Sequence, residues 1–136
     1  MARSPDFLTA VGIGVSDMKR SVDFYTRVLG MQQTQTFSLP EMEEVVVAHE
    51  GRSAVVLMHY TDGSARNYRD NPIKLVFYVT DARARTDAVR AEGLEITREP
   101  GVVEGMGGAV IGMGKDPDGY VLEFIQLAAQ PATQPA

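Results

Sequence analysis

No cysteine occurs anywhere in the 136 residues. Without thiols the chain has neither a disulfide framework nor a thiolate metal site, and it suits a reducing compartment. Histidine is scarce as well, so imidazole donors are limited to His49 and His59. An excess of basic charge is also missing. The formal net charge is -5, whereas a nucleic-acid phosphate binder needs a basic face, and no nucleic-acid partner is expected. No apolar run approaches the roughly 20 residues that span a bilayer, so no membrane partner is expected. Met1-Ala2-Arg3-Ser4-Pro5 is not followed by a secretory apolar core, and the expected location is the cytoplasm. What remains is ordinary globular composition, 44% apolar and 23% charged, in a chain long enough for one domain with a real core.

The most informative stretch runs from Lys115 to Gln126. Asp116-Pro117-Asp118-Gly119 is turn chemistry, because Pro117 pre-sets φ and Gly119 takes a positive φ at no steric cost. The apolar strand after it carries one carboxylate, Glu123. Alternation puts Val121, Glu123 and Ile125 on one face and Leu122 and Phe124 on the other. A lone acid there must meet water, a cation or a donor, since burying it unpaired is costly. Glu123 is therefore expected to point into a cavity.

Along the chain, 7–15 reads as a strand, with Ser16 as a helix N-cap and Asp17 in the first turn. A helix is expected from Asp17 to Leu29, closed by Gly30. Strands follow at 32–37, 43–49 and 53–60, with His49 at a solvated hairpin turn. Residues 61–72 form a polar linker. Beyond the linker the pattern restarts. Lys74 to Asp81 parallels Ala10 to Asp17, hydroxyl cap included, and a second helix, 82–92, ends at Gly93. Strands at 95–98, 109–113 and 120–127 complete the copy. The expected fold class is therefore α+β: one domain over 7–127 made of two βαβββ modules, 7–60 and 73–127, with mixed curved sheets. The ends, 1–6 and 128–136, are expected to be disordered.

If the modules are equivalent, 10 corresponds to 74 and 57 to 123. The faces turned from the helices then carry Ala10, Gly12 and Gly14, and Lys74, Val76 and Tyr78. The last strands add Val55, Leu57 and His59, and Val121, Glu123 and Ile125. An apolar surface with the polar groups His59, Lys74, Tyr78 and Glu123 suits a small-molecule site. Gly105-Met106-Gly107-Gly108 lacks the lysine and following helix of a phosphate loop, and reads as a loop beside the cavity.

Val15-Ser16-Asp17-Met18-Lys19-Arg20-Ser21-Val22-Asp23-Phe24-Tyr25, Val28-Leu29-Gly30-Met31 and Asp116-Pro117-Asp118-Gly119-Tyr120 with Glu123 together resemble the vicinal oxygen chelate superfamily. That superfamily includes glyoxalase I, extradiol dioxygenases and bleomycin resistance proteins. The resemblance implies a half-open barrel of paired modules and a homodimer. In metal-dependent relatives each of four central strands supplies a ligand. Carried onto this chain, those positions hold Ala10, Leu57, Lys74 and Glu123, of which only Glu123 is a donor of the right kind. No metal and no other cofactor is therefore expected. The expected catalytic residues are Glu123, Lys74 and His59, with Tyr78, Leu57, Ala10, Val76, Val121 and Ile125 lining the ligand. The expected function is metal-independent proton transfer of lyase or isomerase type on a small organic metabolite. Non-catalytic binding of a drug or metabolite is the alternative, and a metal-dependent lyase or dioxygenase the third reading.

Overall fold

The structure, a computed structural model, describes residues 6–129. The expectation of disordered ends therefore falls, at 1–5 and 130–136, outside the described residues. The elements are β1 (Ala10–Gly14), α1 (Met18–Asp23) running on into a π-helical turn (Phe24–Val28), β2 (Gln32–Ser38), β3 (Met42–Ala48) and β4 (Ala54–Tyr60). There follow β5 (Lys74–Tyr78), α2 (Ala82–Ala91), β6 (Ile96–Val102), β7 (Val110–Lys115) and β8 (Val121–Gln126). The chain divides into two compact units between Asp70 and Asn71, inside the polar stretch. Each is a βαβββ unit with a four-stranded mixed sheet, ordered β1-β4-β3-β2 in the first and β5-β8-β7-β6 in the second. The first strand of each pairs parallel with the last, and the remaining pairs are antiparallel. The chain is α+β, and each sheet is open, with two edge strands.

Both helices start on aspartate rather than on the hydroxyl before it. Asp17 and Asp81 have extended backbones, and their carboxylates accept the amides of Arg20 and Ala84, each at 3.0 Å. Ser16 Oγ instead accepts from the Arg20 guanidinium at 2.9 Å. A charged cap also complements the helix dipole, which a hydroxyl cannot. Gly30 and Gly93, both at φ 76, end the two helices.

In the first unit α1 and the π turn cover one sheet face, burying Phe24, Tyr25 and Val28 along with Ile13, Val15, Val45, Val47, Val55 and Leu57. Ser21 is fully buried in that layer, and among the described residues its hydroxyl has no hydrogen-bond partner. Ser21→Ala is therefore expected to raise unfolding stability by about 1 kcal/mol, since it removes an unsatisfied group and improves helix propensity. A lowered denaturation midpoint would show that the hydroxyl has a partner after all. In the second unit α2 lies on β6, β7 and β8. Leu122 and Phe124 are fully buried, and the Phe124 ring meets Phe77 with centroids 5.9 Å apart. The helix sits close. A Cβ on Gly112 would collide with Thr86 Oγ1 and lie 3.1 Å from Pro100 Cγ.

Candidate functional site

In the second unit the turn before β8 sets the site. Asp116 is 2% exposed, and its Oδ1 accepts the amides of Asp118 and Tyr120, each at 2.9 Å. Gly119 completes the turn at φ 92. The chain then enters β8 with Val121 level with Lys74, Glu123 with Val76 and Ile125 with Tyr78. These six residues share the face turned from α2, as expected. On it, Lys74 Nζ donates to Glu123 Oε1 at 3.1 Å. The Glu123 side chain is 14% exposed and that of Lys74 51%, so the carboxylate is sheltered and the ammonium reaches water. Val76 and Tyr78 stand open to solvent. Ile125 is instead buried with Ala109 and Ile111, against which Val103 and Met113 pack. The glycine run before Ala109 closes on itself through Met106 N–H to Val103 O and Ala109 N–H to Met106 O. Arg98, level with Met113, brings an exposed cation to the same face.

The first unit differs from expectation by one residue. Ala10 is level with Ala54, Gly12 with Val56 and Ile13 with Leu57. Leu57 thus shares the buried helix-side face with Ile13 and is 0% exposed. The open face carries Ala10, Gly12, Val56 and Met58, and a Cβ on Gly12 would lie 3.1 Å from Met58 Sδ. The partner of Glu123 in the repeat is therefore Val56 and not Leu57, because a slip of one residue turns every side chain of a strand over. His59 moves with Leu57. Its Nδ1–H donates to Val15 O at 2.9 Å, and its ring stacks on Tyr68 with centroids 5.9 Å apart. It is a clasp on the β1–α1 junction, on the other face from Val56, and not a base over the open face. His49, expected in solvent, is half-buried, and its Nε2–H donates to Leu29 O at 3.1 Å, capping the helix end.

The 61–72 stretch folds back on β4. Tyr60 N–H donates to the Tyr68 hydroxyl at 3.1 Å, and the Arg66 guanidinium lies 3.9 Å over the Tyr60 ring. The Ser64 hydroxyl and amide bond Asp62 and hold its carboxyl below the usual carboxylate range. Glu44 also escaped the sequence reading. It is level with Met58 and with Phe37 on the open face of the first unit. The burial of Val45 and Val47 on the other face is the alternation that would have found it.

The four positions that resemblance assigns to metal ligands hold Ala10, Val56 in place of Leu57, Lys74 and Glu123. Alanine and valine carry no donor, and an ammonium already occupies Glu123, so these residues do not fit a divalent ion. Among the described residues no three His, Cys, Asp or Glu side chains gather as a donor set. No helix among the described residues is long and apolar enough to cross a membrane.

Two βαβββ units, each with one helix-covered and one open sheet face, define a paired-module α+β protein. The profile of the Glyoxalase/Bleomycin resistance protein/Dioxygenase superfamily matches residues 8–124, and the chain belongs to that superfamily. A protein of Vibrio parahaemolyticus named probable lactoylglutathione lyase is 36% identical over 117 residues, covering 82% of this chain and 84% of that one. Lactoylglutathione lyase of Haemophilus influenzae is 36% identical over 117 residues, covering 82% and 86%. Among solved structures, glyoxalase I from Zea mays has a TM-score of 0.76 at 26% identity, covering 91% of this chain and 46% of the maize chain.

Proposed function

We propose that this protein is a glyoxalase-like lyase or isomerase that moves a proton on a small organic metabolite without a divalent ion. The observation that carries the reading is the Lys74–Glu123 pair on an open, largely apolar sheet face. A sheltered carboxylate can take a proton from carbon beside a carbonyl, while an adjacent ammonium stabilises the negative charge that collects on oxygen. For an α-hydroxy carbonyl, return of the proton to the former carbonyl carbon, with the hydroxyl proton passing to the other oxygen, gives isomerisation. Expulsion of a leaving group with its electron pair from the carbon on the far side of the deprotonated one gives a lyase. Tyr78 and Val76, exposed on the same face, orient the substrate, and Val121 adds apolar contact. The reading includes a cytoplasmic homodimer, supported by the superfamily resemblance and the lack of cysteine.

The names of the relatives support lyase chemistry, and they favour a second reading, a metal-dependent lactoylglutathione lyase. Elemental analysis of the purified protein separates the two. The expected content is below about one-tenth of a divalent ion per chain, because one carboxylate cannot supply the three or more ligands of a catalytic metal. Lactoylglutathione followed by proton NMR should then be processed equally with and without EDTA, or returned unchanged. One nickel, zinc, iron or manganese per chain, with activity lost to the chelator, overturns the metal-free reading.

A further inference from the structure

We infer that the open face of the first unit carries a subsite for an organic cation, with Glu44 as its counter-charge and Phe37 as its aromatic wall. Phe37, Glu44 and Met58 stand side by side on β2, β3 and β4, each level with the next. Met42, Val46, Val56 and Tyr60 lie on the same face by alternation, with Gln35 level with Val46 as the one uncharged polar neighbour on β2, so Glu44 is a single carboxylate in a mostly apolar and aromatic field. Its neighbour Glu43 points the other way and is exposed, while Glu44 is half-buried. Among the described residues the Glu44 carboxylate has no hydrogen bond or ion pair. Arg66, at the end of this face, is already engaged by the Tyr60 ring and by Ser64 Oγ at 3.0 Å.

These facts select a ligand by its charge. Any molecule that covers the Phe37 ring, 44% exposed, and the Met58 side chain strips water from the carboxylate between them. A neutral or anionic molecule leaves that charge uncompensated, which is costly. A cation restores a partner to Glu44 and also gains the face of Phe37. The overall charge of -5 adds attraction at long range. The subsite rests on the proposed small-molecule function and narrows it to metabolites that carry an ammonium or amidinium group.

The test compares benzylammonium, benzyl alcohol and phenylacetate as probes, titrated into isotope-labelled protein and followed by amide chemical shifts. Benzylammonium is expected to bind about tenfold more tightly than benzyl alcohol and phenylacetate more weakly than either, with shifts centred on β2, β3 and β4. Glu44→Gln should erase the preference for the cation while benzyl alcohol affinity stays within about twofold, and Phe37→Leu should reduce the preference with the fold intact. Equal binding of cation and alcohol to the wild type, or an unchanged preference in Glu44→Gln, overturns the subsite. Glu123→Gln is expected to leave the preference as it is. Loss of turnover in that variant together with no cation preference removes the subsite alone, and a cation preference without any Glu123-dependent turnover removes the catalytic reading alone.

Discussion

Glu123→Gln is expected to lower turnover by a hundredfold or more while ligand affinity stays within about tenfold. Glutamine keeps the shape of the side chain and can still accept from Lys74, but it cannot take a proton from carbon. Because Glu123 is sheltered and Lys74 reaches water, the substitution leaves a solvated ammonium and not a stranded buried charge. Stability should change little as a result, by the small amount typical of a pair with an exposed member. Lys74→Met is the companion change, lowering the rate by removing the charge beside the developing oxyanion. The catalytic hypothesis is abandoned if Glu123→Gln turns over at the wild-type rate, or if every ligand that binds the wild type is recovered unaltered. In the latter case the protein is a binder.

Leu57→Ala and Val56→Ala, adjacent substitutions in one strand, should separate by several kcal/mol. Leu57 is 0% exposed under α1, so truncating it costs about 2–5 kcal/mol by lost burial and a cavity. Val56 lies on the open face, half-buried, and its truncation should cost about 1 kcal/mol or less, with any larger effect on ligand affinity. Chemical denaturation with both variants at matched conditions gives the answer. The opposite order of losses would mean that β4 is paired one residue away from the register described above, with Leu57 and not Val56 opposite in kind to Glu123.

The difference between those two residues also explains what could and could not be read in advance. β8 contains one charged side chain inside an apolar strand, and Glu123 fixed its phase, so Val121 and Ile125 fall on its face as expected, although Ile125 is buried there against Ala109 and Ile111. β4 reads Ala54-Val55-Val56-Leu57-Met58-His59-Tyr60, apolar on both faces until its end, and nothing local sets which residues face the helix. His49 and His59 each bond a carbonyl far away in sequence, at Leu29 and Val15, and short-range pattern does not show such partners. β6 runs on to Val102, past the expected end at Arg98, because register shifts between Ile96 and Arg98 and between Arg98 and Gly101 absorb the irregular backbone. The repeat itself was legible because it joins independent signals: a first strand, an aspartate before the helix, and a glycine after it.

The π-helical turn has a consequence for how the two units came to differ in length. From Asp17 to Gly30 the first unit uses fourteen residues, and from Asp81 to Gly93 the second uses thirteen. Leu29 N–H reaches back five residues to Phe24 O, so the extra residue is coiled into a widened turn instead of being pushed into the loop that follows. Capping aspartate and closing glycine keep their places at the two ends. A duplicated ancestor could thus gain or lose a residue in this helix without disturbing the strands on either side. The turn acts as a length buffer, and it lets the copies drift apart in sequence numbering while the architecture stays paired.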